Sequence, residues 1–425
     1  MQYLSTIFKL SLLAIIFVIP LQGQAQENSP YSRYILGNLK SIENVAFRGM
    51  GGVCIADDHS LIANPSNPAT YTGLRMTSYQ VGLEGNLVTV KNSSVSNRTG
   101  SATLSYVNIG FPLSKKLGLS FGLLPQTRSK YSMAKSDSIP GISRVNSSYY
   151  GGGGIQKIYI GAAYKISDFS VGLNTGYTFG NLVNSSESSF TDSLKILSNN
   201  ITARTTMGGF FWQVGALMNK KLKKEYTLRL GVTYTGAQSL NAKKEQYWES
   251  FGGDLSNPDY VGKVDSVMNL KGKVKIPALL GVGAIFSNGD FWQVGVDFRS
   301  SDWTNFSSYG NADSSGAYWN IRLGGAITPD VNAVNNFWKK VTYRVGAYTG
   351  QDILKFGDNN IKNMGVTAGV GLPIRRTQLS IGQLNAGIDI GKRGTTDNGL
   401  VREGYTRFSF GITFNDRWFI KRRYD

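Results

Sequence analysis

The chain has 425 residues, a formal net charge of +18, 17% charged residues, 12% aromatics, 51 glycines and one cysteine. The charged fraction lies below the ~25% usual for soluble domains, and glycine lies above the ~7% norm. One cysteine excludes an intramolecular disulfide and every cysteine-cluster metal site, and no mature stretch offers the ~20 apolar residues of a membrane helix.

Residues 1–25 read as a signal peptide. Lys9 supplies the positive charge, Leu10 to Ile19 is almost wholly apolar, and Gly23-Gln24-Ala25 places small residues before a cut at Gln26. The rival reading, an uncleaved anchor, needs a longer apolar stretch. Cys54 sits far from the cleavage region, so it is no lipid-attachment cysteine and reads as a small buried apolar residue.

Residues 26–75 do not alternate. They carry Asn28-Ser29-Pro30-Tyr31-Ser32-Arg33-Tyr34, then Arg48-Gly49-Met50-Gly51-Gly52, Ala56-Asp57-Asp58-His59-Ser60 and Asn64-Pro65-Ser66-Asn67-Pro68-Ala69. Glycine pairs permit close backbone approach and positive φ, and each Asn-Pro fixes a turn. A compact, turn-rich segment ahead of the first strand suits a plug inside a lumen; the alternative is a periplasmic leader without fixed structure.

From Met76 the chain repeats one unit, 8 to 15 residues of two-residue alternation and then a break. Phe169, Val171, Leu173, Tyr177 and Phe179 alternate with Ser170, Gly172, Asn174, Gly176 and Gly180, and Phe408, Phe410, Ile412 and Phe414 alternate with Arg407, Ser409, Gly411 and Thr413. The pattern predicts strands at 76–90, 100–111, 117–131, 143–164, 169–186, 201–219, 226–250, 272–286, 291–302, 317–328, 341–350, 362–372, 379–392 and 403–414. Short breaks alternate with longer Ser-, Asn- and Gly-rich ones at 91–99, 132–142, 187–200, 251–271, 303–316, 351–361 and 393–402; the connection 329–340 departs from the rule. Short periplasmic turns alternating with long outer loops mark a bacterial outer-membrane barrel. The expected fold is therefore all-β, a transmembrane antiparallel β-barrel of about 14 strands over 76–414, with the plug before it and a basic aromatic tail at 415–425.

An even strand count puts both barrel ends in the periplasm. Lys115, Lys116, Lys220, Lys221, Lys223, Lys224, Lys339, Lys340, Arg375, Arg376, Lys421, Arg422 and Arg423 then form a basic rim. Such a rim can attract anionic outer-membrane lipid at roughly 1 kcal/mol per cation; equally, the lysines can simply keep tight turns solvated. Basic charge on an exported barrel gives no support to nucleic-acid binding. With apolar faces toward lipid, Arg229, Asp297, Arg299, Arg322, Arg344, Asp389 and Arg407 face the lumen. They can hold an anionic head group or pair internally and brace the wall or the plug.

Gly151-Gly152-Gly153-Gly154 falls inside the expected fourth strand, where it weakens the ladder and suggests a kink or lateral opening, or else a plain bulge. The tail holds Trp418, Phe419, Tyr424 and clustered cations, fit for docking a periplasmic or outer-membrane protein partner or for anchoring at the membrane rim. Enzyme chemistry is not expected: His59 is the sole histidine and lies in the plug, and Asp57-Asp58 on irregular backbone suggests a turn or cap. The glycine run lacks the Lys-Ser or Lys-Thr of a phosphate loop, and neither a cofactor nor a metal is implied.

The run Gly49-Met50-Gly51-Gly52, Ala56-Asp57-Asp58-His59-Ser60 and Asn64-Pro65-Ser66-Asn67-Pro68-Ala69 resembles the N-terminal hatch of the long-chain fatty acid transporter (FadL-like) outer-membrane family. The resemblance covers the plug specifically and the barrel by architecture. Spacing from Asp57 favours Asn64-Pro65 as the motif, identity favours Asn67-Pro68-Ala69. It implies a 14-stranded barrel in the bacterial outer membrane and uptake of a hydrophobic ligand through a kinked strand. Since the broader family also includes non-transporting subunits of secretion machinery, a structural subunit of a larger outer-membrane complex is the second expectation. A general aqueous porin is disfavoured because a plug blocks ions.

Overall fold

The computed structural model describes residues 28–140, 143–190, 197–222, 225–254, 257–376 and 380–418. The expected signal peptide and the tail beyond Trp418 lie outside the described residues.

Strands with one apolar and one small or polar face can bury only one side, and here they close into a single antiparallel ring. The strands are β1 Thr77–Lys91, β2 Ser96–Pro112, β3 Leu117–Ile139, β4 Ser143–Ile166, β5 Phe169–Phe190 and β6 Ser198–Lys221. β7 comprises Tyr226–Thr235 and Gln238–Asp254, and β8 comprises Asn257–Ile276 and Leu279–Asn288. β9 Trp292–Asp302, β10 Ala317–Ile327, β11 Thr342–Phe356, β12 Asn359–Arg376, β13 Ser380–Arg393 and β14 Arg402–Asp416 complete fourteen. β14 pairs with β1 from Arg402↔Lys91 to Asp416↔Thr77, which closes the ring. β7 and β8 break at facing positions, Gly236-Ala237 and Pro277-Ala278, where a proline supplies no ladder N–H.

The apolar rows face out. Ile160 is 59% exposed, Val345 65% and Ile412 55%, whereas Asn174, Thr178 and Asp297 from the polar rows are buried. Rings gather toward the end of the ring where β1 begins and β14 finishes, here called the near end. Trp418 lies 5.8 Å from Tyr79 and 5.6 Å from Phe111, and Tyr226 and Phe286 stack at 5.5 Å beside Trp292. Aromatic side chains at that level suit a membrane–water interface.

The wall is uneven. β4, β5 and β6 run 24, 22 and 24 residues, whereas β9 and β10 run 11 each. The breaks expected at 132–142, 251–271 and 351–361 are therefore largely strand: β3 runs to Ile139, the first part of β8 begins at Asn257, and β11 and β12 leave only residues 357–358 between them. Polar residues on both faces suit a sheet that rises into water, and that is why alternation fades there while pairing continues. The connection 328–341 holds a 3₁₀ turn, Phe337–Lys340, capped by the Asn336 side chain, and the Tyr343 hydroxyl donates to the Trp338 carbonyl at 3.2 Å.

Residues from Asn28 to Leu74 bond to inward-facing side chains of the ring. The Gly51 amide donates to Thr367 on β12 at 2.8 Å, and the Tyr71 hydroxyl donates to Asn174 on β5 at 2.9 Å, so the segment touches opposite walls. It contains a short helix, α1 (Val45–Arg48), capped by Asn44, and a 3₁₀ turn, Pro68–Gly73, capped by Asn67.

Ile160→Arg, which puts a cation on the outward row of β4, should cost about 2–4 kcal/mol if that row meets hydrocarbon. Urea titration of protein refolded into phospholipid vesicles measures it, and an unchanged midpoint would contradict the outward orientation.

Candidate functional site

The lumen charges are brought together by the N-terminal segment. Arg299 and Arg322 both reach Glu43 Oε1, at 2.6 and 2.5 Å. Burial opposes ionisation of Glu43, yet the Arg322 and Arg299 guanidiniums hold its carboxyl well below the usual carboxylate range. Arg229 lies 2.9 Å from Asp58 and 3.6 Å from Asp57. Asp297 accepts the Cys54 and Ile55 amides at 2.8 and 3.0 Å. Arg407 pairs with Asp389 at 3.1 Å, and Arg344 donates to Asn385 at 3.2 Å. Asp57-Asp58 thus spans a gap to the wall through Arg229. Burial pushes the Cys54 thiol up to about 12, which leaves no reactive thiolate.

Both Asn-Pro units are built in. Asn64 donates to the Cys54 carbonyl at 2.6 Å and accepts the Ser66 amide; Asn67 donates to the Ile55 carbonyl at 2.7 Å and accepts the Ala69 amide. Pro65 and Pro68 start the following turns, with Pro68 opening the 3₁₀ segment. Gly51 and Gly52 have φ of +69° and +81°, and a Cβ at Gly49 would stand 3.0 Å from the Gly369 Cα on β12. Those positions need glycine because the segment lies directly on the wall backbone.

Several members of the network escaped sequence reasoning. Glu84 on β1 binds Lys40 at 3.1 Å and Arg48 at 2.8 Å, while Arg393 joins Asp352 at 2.8 Å and Glu403 at 3.6 Å. Glu84 was findable, since it occupies the inward phase between outward Leu83 and Leu87. Glu43 and Lys40 carry no such signal, because their segment has no period.

The wall itself forks between β2 and β3. The two strands pair only from Val107↔Leu123 to Pro112↔Gly118. Beyond that point each has a register shift, between Gly82/Leu83 opposite β2 and between Pro125/Thr127 in β3, and bulges of this kind twist strands apart. The freed edge of β3 is taken over by the N-terminal segment. Asn38 and Leu39 pair with Arg128 and Thr127, the Lys40 amide donates to the Gln126 carbonyl, and the Ser29 amide donates to the Lys130 carbonyl. Asn28 spans both strands, donating to Thr99 on β2 and to the Ser132 carbonyl on β3. At Gly151–Gly154 the ladder is continuous with β3 on one side and β5 on the other, although Gly153 has φ +121°. The gap in strand pairing lies one strand pair before the glycine run, where the facing bulges separate β2 from β3.

Two cavities meet at the fork. A luminal one of about 310 Å³ and a side one of about 320 Å³ share Lys40, Ser41 and Glu84. At the far end, Tyr31 and Leu36 pack with Leu240, Ile276, Trp303, Phe306, Ile353 and Leu354 in an apolar cluster across the mouth. The luminal cavity sits between that cluster and the braced segment.

A family model described as BamG matches residues 7–425. Curated protein sequences give no match. Among solved structures, the Ralstonia pickettii toluene transporter TbuX superposes at a TM-score of 0.59 with 15% identity, over 89% of this chain and 100% of that one. The P. putida toluene transporter TodX gives 0.59 with 16% identity over 90% and 100%, and a Pseudomonas aeruginosa FadL homologue gives 0.56 with 12% identity over 91% and 100%. The FadL-like resemblance read from the hatch holds at the level of the fold.

Glu43→Gln should lower barrel stability by about 3–5 kcal/mol, because two buried guanidiniums lose their shared carboxylate. Since the Glu43 carboxyl is lowered from 4.5, its contribution is complete above that pH and declines as the pH falls below it. The stability gap between wild type and variant, read from heat-dependent electrophoretic mobility, should be constant from pH 7 to 5 and shrink below about pH 4.5; a gap independent of pH contradicts the pairing.

Proposed function

From the forked wall we propose that this chain, which belongs to the BamG family, is an outer-membrane channel for small hydrophobic molecules, long-chain fatty acids among them, that exchange sideways with the membrane. The observation that carries this reading is the fork between β2 and β3, behind which the side cavity and the luminal one lie on either side of Lys40, Ser41 and Glu84. Passage along the barrel axis would break the ion pairs of Glu43, Asp57 and Asp58, each buried pair costing about 3–5 kcal/mol to break. Residues 26–75 therefore act as a plug against axial flow. The fork is closed by residues 28–40, which pair with the edge of β3 and bond to Glu84, Arg393 and Glu403 on the strands opposite. The toluene transporters that share this fold lend the reading support.

A second reading, a barrel subunit that moves no cargo and supports a larger outer-membrane complex, is favoured by one observation. The lumen is filled by a segment whose charges are matched to the wall, as in a scaffold held rigid. Affinity purification with residues 415–425 present and deleted tests it, and failure to recover a stoichiometric partner in either case removes it.

Leu39→Cys with Thr127→Cys places two thiols at paired positions, within disulfide reach across antiparallel strands. Oxidation should abolish uptake of a labelled fatty acid or toluene into proteoliposomes, and reduction should restore it. Equal uptake in the oxidised and reduced states would count against exchange at the fork.

A further inference from the structure

Where the fork lies along the wall decides what can enter it. On β3, β4 and β5 the outward apolar rows stop at Leu123, Ile158 and Phe179. The next outward positions are Pro125 and Arg128, Gln156, and Asn181, and all four line the side cavity. In an outer-membrane barrel the apolar band marks the hydrocarbon, so the fork opens at its upper border, where lipid headgroups lie.

The side cavity is polar at that level. Thr103, Ser105 and Thr127 bring hydroxyls, and Lys40 and Arg128 bring two positive charges. The one carboxylate there, Glu84, has a further cation in Arg48 at 2.8 Å. An anionic group with several acceptor oxygens finds charge-assisted donors there. The outward side chains of Leu104, 50% exposed, and Ile158, 54% exposed, offer apolar surface just outside the opening.

We propose that the side cavity takes the phosphate-bearing headgroup of a membrane amphiphile, whose tails stay in the hydrocarbon along Leu104 and Ile158. This rests on the reading of the fork as the site of sideways exchange and assigns that site its ligand class. Two cations among hydroxyl donors match a phosphate better than a single carboxylate, and about 320 Å³ holds a headgroup without its chains.

The test is native mass spectrometry of the full chain released from detergent micelles, with phosphatidylglycerol, phosphatidylcholine, oleate and inorganic phosphate offered in separate arms. Phosphatidylglycerol should bind about tenfold or more tightly than phosphatidylcholine. Arg128→Gln should erase that preference and Arg128→Lys should keep most of it. Equal binding of the two phospholipids, preference for oleate, or complete displacement of phosphatidylglycerol by inorganic phosphate each overturns the assignment. The wild-type arms decide the matter even if a variant fails to fold. Uptake blocked by the 39–127 cross-link, together with equal binding of the two phospholipids, would leave the channel standing and remove only the headgroup.

Discussion

Turning the apolar face of every strand outward leaves the polar face with nowhere to go but the lumen, where Arg229, Asp297 and Arg299 are buried. Each charge placed there needs a partner at close range. That demand is met here by the N-terminal segment, which brings Glu43, Asp57 and Asp58 to Arg299, Arg322 and Arg229 and lends its Cys54 and Ile55 amides to Asp297. Wall and segment are thus one electrostatic unit. Glycines at 49, 51 and 52 are the steric counterpart, letting backbone lie on backbone so that the charges meet.

Residues 43–71 are held by buried ion pairs and amide bonds to walls on both sides, and 28–40 along the edge of β3, by bonds to Glu84, Arg393 and Glu403, and by the apolar cluster at the far mouth. Paired facing bulges make that edge available. The same local irregularity therefore ends the β2–β3 pairing and supplies the edge on which the chain lies, so the position of the fork follows from strand twist rather than from a loop.

The fold similarity and the family membership emphasise different properties. At twelve to sixteen per cent identity, the toluene transporters and the FadL homologue share the barrel fold of this chain. The luminal surface of this chain is far more charged than a conduit for hydrocarbons requires, and this is the physical reason the side opening, rather than the axis, carries the functional reading.

The two-residue period fixed the strand count, the order of the strands and the outward direction of Phe169, Val171 and Phe408, because alternation is a local consequence of the pleat and of having lipid on one side. It also placed Arg229, Asp297 and Arg322 in the lumen. The height of the far wall over β4 to β6 was not legible, since a sheet wetted on both faces has no hydrophobic period. The glycine run at 151–154 pointed near the opening, but the break belongs to β2 and β3, whose bulges depend on how three neighbouring strands twist together. The partners of the lumen cations were equally hidden: Glu43 lies 256 residues from Arg299 along the chain, and only closure of the ring around an aperiodic segment brings the two within 2.6 Å.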